Sequence, residues 1–156
     1  MKEINTAIEK AYQGFSLTLD TIPGIGAIFA AGIFAEIGDI LRFASEAQLA
    51  RYAGLAWRKS QSGDFEADET PIIRSSNVHL RYYLVEAANS VKNNEPFYKE
   101  YYQKKYNEVK KHQAVHAVTV ERSEHKRALV LTARKLVRLI YALLIRGEIY
   151  QKAKVQ

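Results

Sequence analysis

Apolar residues recur along most of this chain at intervals of three and four, the spacing of amphipathic helices, and this pattern predicts an all-α fold. Such stripes cover residues 2–19, about 74–92 and about 124–146. Residues 27–37 are apolar all round, which is typical of a buried helix, and Gly38 follows as its C-terminal stop. The stripe nearest the C-terminus comprises Leu129, Ala133, Leu136, Val137, Ile140, Leu143 and Leu144, with Gly147 as its stop.

Two shorter signals predict the remaining helices. Ser45 and Gln48 form a capping box at the start of a short helix that Gly54 closes. Pro96 lies in the first turn of a helix predicted over about residues 95–111, where a missing backbone N–H costs nothing.

Two segments do not fit the helical pattern. Residues 57–73 contain glycine, proline and four acidic residues, and they read as the longest loop of the chain. Long ordered loops are where binding and catalytic residues concentrate, so this segment is the first place to look for function. Residues 112–123 carry alternating valines that fit either a short strand or more helix.

Length and composition limit the class of protein. A chain of 156 residues fits one domain, which we expect over residues 20–150, after an N-terminal linking helix (1–19) and before a short tail (151–156). The absence of cysteine excludes disulfides, thiolate chemistry and zinc fingers. The chain lacks a run of about 18 apolar residues and a signal-peptide pattern, so we expect a cytoplasmic, nucleoid-associated protein without membrane contact.

Charge is distributed unevenly along the chain. Residues 1–73 carry 6 Lys and Arg against 10 Asp and Glu, whereas residues 74–156 carry 17 against 7. A polyanion would therefore bind against the second half, and nucleic acid is the commonest such partner. The alternative is that lysine-rich helices are only well solvated.

The run Ile-Pro-Gly-Ile-Gly at residues 22–26, followed by a helix, matches the hairpin of a helix-hairpin-helix element. In that element Gly24, Ile25 and Gly26 would let the backbone approach a DNA phosphate, and the helix start would offer free N–H groups. The alternative is a tight turn between packed helices that never meets DNA.

Basic and amide side chains follow the long loop. Arg74, Asn77 and Arg81 share one face of the helix predicted from residue 74, a geometry that suits bidentate contacts to phosphate. Asn77 could instead cap the helix locally. Ser62, between Gln61 and Gly63, is a small hydroxyl nucleophile in the loop, although no histidine or acid stands at triad spacing.

Three further patterns each have a plain alternative. His79 and Arg81 resemble the His-x-Arg pair of tyrosine recombinases, but Tyr98, Tyr101, Tyr102 and Tyr106 fit one packed helix side with their hydroxyls in water. The pair at residues 112 and 116 has metal-binding helical spacing, yet fits solvated histidines. One face of the last helix, opposite the leucines, is either ordinary surface or a basic rail for nucleic acid: Arg127, Arg134, Arg138 and Tyr141.

Taken in order, these segments resemble the C-terminal domain of the IS116/IS110/IS902-type insertion-sequence transposases, also described as bridge-RNA-guided recombinases. Each match is short, but the ordered set covers most of residues 20–150. The matching stretches are Ile22 to Gly26, Ala35 to Asp39 with Phe43, Gln48 to Ala56, Gln61 to Gly63, Arg74 to Arg81, and Ala128 to Ala142.

The resemblance implies a division of labour. A resolvase-like N-terminal domain, not in this chain, would hold Mg²⁺, so no cofactor is expected here. The C-terminal domain would supply a serine, Ser62, that forms a covalent phosphoserine linkage with DNA. The implied partners are DNA, a guide (bridge) RNA, the resolvase-like domain and further copies of the chain, and the isolated domain would be inactive.

Two other classes of function stay open at the level of sequence. One is a helix-hairpin-helix module that binds DNA or RNA without chemistry of its own. The other is a helical oligomerisation domain whose basic face is incidental. Phosphate binding weakens steeply with ionic strength and helix packing does not, so salt dependence separates the two.

Overall fold

The computed structural model describes the backbone of residues 18–56, 61–62, 65–66, 76–115 and 121–152, and the side chains of residues 18–56, 76–111 and 124–152. Within these residues the fold is all-α, as the hydrophobic pattern predicts. A 3-10 helix (Ile40–Arg42) follows the first helix, and strands β1 (Gln61–Ser62) and β2 (Phe65–Glu66) pair antiparallel. The α-helices are α1 (Ala27–Ile37), α2 (Glu46–Tyr52), α3 (Val78–Asn94), α4 (Pro96–Val115) and α5 (Glu121–Arg146).

The core forms around α3 and α5. Helices α3, α4 and α5 pack on one another, α1 packs on α3, and α2 packs on α5. Each buried leucine or isoleucine contributes roughly 1.5–3 kcal/mol by leaving water, so these two apolar faces dominate the stability of the fold. Helix α3 buries Leu80, Leu84, Ala87, Ala88 and Val91, and α5 buries Ala128, Leu129, Ala133, Leu136, Val137, Ile140 and Leu143.

Several predicted helix ends are confirmed. Gly38 and Gly147 follow α1 and α5 with φ of 61° and 63°, the left-handed region in which glycine ends helices at low cost. At the start of α2 the Ser45 hydroxyl accepts from the Gln48 N–H at 3.4 Å. The Gln48 side chain in turn accepts from the Ala44 N–H at 3.0 Å. The capping box read from the sequence therefore fixes where α2 begins.

Helix α3 begins at Val78, so the prediction that it begins near Arg74 is wrong. Asn77 is its N-cap: its backbone is extended (φ −70°, ψ 103°) and its side chain accepts from the Leu80 N–H at 2.9 Å. Asn77 therefore lies before the first helical turn and does not share a helical face with Arg81. Arg74 lies outside the described residues.

Helix α1 is less buried than its composition predicts. Only Ala30, Ile33 and Ile37 are fully buried, and Ala35 is exposed. Among the described elements α1 packs chiefly on α3, so one side of it meets the core and the other meets solvent. Because residues 27–37 are apolar on every side of the helix, the sequence did not indicate which side would meet the core.

The tyrosines of α4 do not all keep their hydroxyls in water. Tyr98 is 4% exposed, and its burial raises the pKa of the hydroxyl above its usual value. The Tyr102 hydroxyl lies 2.7 Å from Nδ1 of His125 on α5. The packed side was predicted correctly, and the Tyr98 hydroxyl departs from the predicted solvent position, whereas the contact of Tyr102 with His125 is exposed.

The remaining predictions concern segments at the edges of the described chain. Residues 112–115 are helical as the end of α4 and residues 121–123 as the start of α5, so these parts of 112–123 are helix and not strand. The side chains of His112 and His116, and nearly all of the predicted helix 2–19, lie outside the described residues. In the described ranges, no helix is both long and apolar enough to cross a bilayer.

Candidate nucleic-acid interface and serine segment

The segment from residue 57 to residue 75, which carries Ser62, leaves and rejoins the helical scaffold at one place. The Asn77 N–H donates to the carbonyl of Tyr52 at 2.8 Å, so the exit of the segment lies against the end of α2. In its middle the backbone folds back, with Ser62 paired to Phe65 and Gln61 paired to Glu66. The Ser62 side chain lies outside the described residues, so its role stays a prediction.

Two arginines bind the base of this segment. Nε of Arg81 donates to the Ala53 carbonyl at 3.3 Å, and its Nη2 donates to the Ser76 hydroxyl. Nη1 of Arg134 donates to the Leu55 carbonyl at 2.9 Å. The Arg81 guanidinium therefore contacts residues on both sides of the segment, and the Arg134 guanidinium contacts the residues that precede it.

Among the described residues, both guanidiniums have N–H groups that no contact occupies. A guanidinium carries five N–H groups, and backbone or hydroxyl contacts occupy one or two of them here. Among the described residues, no carboxylate lies within ion-pair distance of Arg81 or Arg134. The ion pairs of this part of the chain are formed by other residues. Two half-buried cations thus lie at the base of the segment with their charge unpaired in this part of the structure.

Gly54 makes the approach of Arg81 possible. Its φ is 68°, and a Cβ built on it would lie 2.8 Å from Nη2 of Arg81. Any larger residue would be strained in this backbone conformation and would displace the guanidinium. The glycine that ends α2 therefore also makes room for the arginine.

The Asn77 side chain uses both of its amide hydrogens. Its Nδ2 donates to Oε2 of Glu36 at 2.7 Å and to the hydroxyl of Tyr52 at 3.1 Å, while its Oδ1 caps Leu80. One amide thereby joins α1, α2 and α3. The geometry favours local capping over the other alternative, donation to a phosphate oxygen.

Asn77→Ala is therefore expected to destabilise the protein by about 2 kcal/mol, because it removes a helix cap and leaves the Glu36 carboxylate without its partner. The measurement is the free energy of unfolding by chemical denaturation. Asn94→Ala, at the exposed far end of the same helix, is the matched control and should cost under about 0.5 kcal/mol. Equal losses for the two variants would contradict the joining role of Asn77.

Arg42 and Tyr52 extend the same polar cluster. The guanidinium carbon of Arg42 lies 4.6 Å from the ring centroids of both Phe43 and Tyr52, a stacked arrangement that orients it. The hydrogen bond from Asn77, followed by the one from Arg42, lowers the pKa of the Tyr52 hydroxyl. Sequence reasoning missed Glu36, Arg42 and Tyr52, because their partners are up to 41 residues away and no local pattern marks them.

The three hairpin residues 24–26 differ in how closely they pack on the rest of the protein. Gly24 has φ of 98°, and a Cβ there would lie 2.8 Å from the Val91 nitrogen of α3. Ile25 is 3% exposed and belongs to the core. Gly26 is open, with nothing within 4 Å of a built Cβ, and it precedes α1 without a side-chain cap. Of the three residues, Gly26 is exposed, Gly24 is half-buried and Ile25 is buried, so Gly26 and the start of α1 are the most open to a backbone phosphate.

The basic side chains of α3 and α5 also differ in their exposure to solvent. His79, Arg127 and Arg138 are exposed. Arg134 and Tyr141 donate to the carbonyls of Leu55 and Phe43, so this part of the face contacts the protein and is not ordinary surface. Helix α5 packs on α2 as well as on α3 and α4, so its side opposite the leucines also has protein neighbours. Arg127, Arg134 and Arg138 still form a line on α5 whose middle member contacts the serine segment.

The described residues contain no group of three His, Asp or Glu side chains placed to share a metal ion. The carboxylates of this region already serve other contacts: Glu36 accepts from Asn77, and Asp39 accepts from the Leu41 N–H at 2.9 Å.

Comparison with known proteins places the chain among transposases. The model of the transposase IS116/IS110/IS902 family matches residues 16–103. A transposase for insertion sequence element IS1111A from Coxiella burnetii is 31% identical over 133 residues, which cover 85% of this chain and 34% of the relative. The insertion element IS110 uncharacterized 43.6 kDa protein from Streptomyces coelicolor is 28% identical over 150 residues, covering 96% and 33%. The chain spans about a third of the length of these curated relatives.

Proposed function

The chain belongs to the IS116/IS110/IS902 family of transposases, and from that premise we propose that it acts in DNA transposition as a helical, serine-bearing domain that binds nucleic acid. The observation that carries the proposal is made at the base of the 57–75 segment. There Arg81 and Arg134 contact the residues that flank the segment containing Ser62. The family match covers Ser62 and Arg81, and both curated relatives are insertion-element proteins.

The proposed chemistry is transfer of a DNA phosphodiester to serine. The Ser62 oxygen forms a bond to phosphorus, and the bond from phosphorus to one deoxyribose oxygen breaks. The serine proton passes to solvent, and the released deoxyribose oxygen takes up a proton. Arg81 and Arg134 support this step because guanidinium groups stabilise the charge that develops on the phosphoryl oxygens.

The Mg²⁺ implied by the family resemblance belongs, in this proposal, to a separate resolvase-like domain. When bound there it would polarise the phosphate. The residues of this chain contribute the nucleophile and the phosphate contacts. Activity would then require both domains and more than one copy of the chain, with a guide RNA as a further partner.

Binding would use the exposed cations of α5. Arg127 and Arg138 lie on either side of Arg134 along the helix, so a backbone that follows them would pass the base of the serine segment. Gly26 and the uncapped start of α1 would add backbone N–H contacts. The alternative, a helix-hairpin-helix or oligomerisation module without chemistry, shares part of this surface and predicts no covalent linkage.

Titration of duplex DNA with the protein over a series of salt concentrations tests the binding proposal. We expect affinity to fall steeply with salt, and Arg127→Gln and Arg138→Gln each to reduce the slope of log affinity against log salt by about 1. Arg146→Gln is the matched control, since this exposed arginine of the same helix already faces Glu148 at 3.8 Å. Absence of binding, or binding without salt dependence, would favour the oligomerisation module.

A further inference from the structure

An aromatic and lysine cluster lies on α4 and α5, and it includes none of the residues assigned above. Phe97 is 54% exposed, although it is a large apolar ring. Nζ of Lys135 lies 5.5 Å from the centroid of Phe97 and 5.7 Å from that of Tyr101, so one ammonium is shared between two rings. Lys105 adds a second ammonium 5.8 Å from the Tyr101 centroid, and this ammonium also pairs with Oε2 of the exposed Glu108 at 2.6 Å. We call Phe97, Tyr101, Lys105 and Lys135 the ring–lysine cluster.

Exposure alone does not make Phe97 unusual, because single apolar side chains are common on protein surfaces. Its surroundings do. Tyr82 on α3 is exposed to a similar degree, at 60%, yet no lysine or arginine of the described residues stacks on its ring. Of these two exposed aromatic rings in the described part of the chain, Phe97 is the one with an ammonium beside its face.

The charge of the surrounding surface favours an anionic partner. Residues 96–111 and 124–152 carry twelve Lys and Arg residues against four Asp and Glu residues. Residues 18–56 carry two against four, and residues 76–95 carry two of each. The excess of positive charge in the described chain is therefore confined to α4, α5 and the residues that follow. The ring–lysine cluster lies between these two helices.

We propose that the ring–lysine cluster binds single-stranded nucleic acid, with unpaired bases stacking on Phe97 and Tyr101 and the strand's phosphates contacting Lys135 and Lys105. Phe97 and Tyr101 are one helical turn apart, about 6 Å along α4, so each can serve a different base of one strand. Aromatic faces beside cations recognise unpaired bases irrespective of sequence, whereas bases within a duplex are already stacked and do not reach the rings.

This inference rests on the proposed function, because it assumes that the protein meets nucleic acid. It adds a second group of residues, which would prefer unpaired bases to a duplex. Arg81 and Arg134, at the base of the serine segment, suit phosphates of single-stranded or duplex nucleic acid, while the ring–lysine cluster requires unpaired bases. A recombinase that exchanges strands produces such bases when a duplex opens.

The test compares a fluorescent oligothymidylate with the duplex that it forms with its complement, each titrated with the 156-residue protein by fluorescence anisotropy. Phe97→Leu keeps an apolar side chain and removes the aromatic face. We expect it to weaken single-strand binding about tenfold and to change duplex binding by less than about twofold. Tyr82→Leu is the matched control and should change neither affinity.

A second pair of variants keeps the proposal testable if Phe97→Leu alters folding. Lys135→Gln removes the shared ammonium and should weaken single-strand binding about threefold or more. Lys99→Gln, at an exposed lysine of α4, should have a smaller effect. Photo-crosslinking of a 5-iodouridine strand, read by mass spectrometry, should attach to Phe97 or Tyr101.

The outcomes separate this inference from the proposed function. If the wild-type protein binds nucleic acid and Phe97→Leu matches Tyr82→Leu, the inference is wrong and the proposed function stands. If the wild-type protein binds neither probe, both are wrong. If Phe97→Leu leaves both affinities unchanged but alters the sedimentation of the protein, the cluster is a contact between protein chains and the inference is wrong.

Discussion

Ser62→Ala is expected to abolish covalent attachment of the protein to DNA while leaving DNA affinity unchanged within about twofold. The substitution removes the only atom that can bond to phosphorus in the proposed step, and loss of a nucleophile lowers rates by on the order of 10³-fold or more. DNA affinity depends instead on the arginines, which the substitution leaves in place.

The measurement requires the complementary domain. The chain would be co-expressed with the acidic domain of a full-length relative and incubated with labelled, nicked DNA, and a denaturing gel would report any protein–DNA linkage. Ser60→Ala is the matched control, two residues away in the same segment. A linkage that survives Ser62→Ala, or that Ser60→Ala also removes, would contradict the assignment of the nucleophile.

The second large effect concerns Gly24. Gly24→Ala should destabilise the protein by about 3 kcal/mol, because alanine at φ of 98° is strained and its Cβ would lie 2.8–2.9 Å from the backbone of Ser90 and Val91. Backbone atoms inside α3 cannot move aside without breaking helical hydrogen bonds. The free energy of unfolding by chemical denaturation measures the loss.

Gly26→Ala provides the contrast within the same hairpin. Gly26 has φ of −80° and ψ of 168°, a conformation open to any residue, and its Cβ position is empty, so the cost should stay below about 1 kcal/mol. If Gly26 contacts a phosphate, its substitution should weaken DNA binding without lowering stability. Equal destabilisation by both variants would show that the packing of Gly24 against α3 has been overestimated.

The sequence predicted those features of the fold that depend on neighbours along the chain. The C-terminal ends of α1 and α5 follow from Gly38 and Gly147, which adopt positive φ, and the start of α2 follows from a capping box. The core stripe of α5 follows from helical spacing. Local chemistry decides such features, so periodicity and capping residues are sufficient to find them.

Features that depend on distant neighbours were not predicted. Arg134 and Tyr141 lie opposite the leucine stripe on a helical wheel, yet they contact carbonyls 79 and 98 residues away. The start of α3 was misplaced because Asn77 offered two roles, and its long-range contact with Glu36 favours the capping role. Of the candidate site, the sequence identified Arg81 and Arg134 as cations of interest, but it did not predict that they contact the base of the serine segment.

The closed base at residues 52–56 and 76–77 has a consequence for how such proteins diversify. The Asn77 N–H donates to the Tyr52 carbonyl and Arg81 joins Ala53 to Ser76, so residues on the two sides of the segment are bonded directly to each other. Insertions, deletions or a wholesale exchange of that intervening stretch should then leave the helices undisturbed. Related proteins would be free to vary the length and charge of this stretch on a constant frame, and chimaeras that graft it from one relative to another are a practical route to altered target choice.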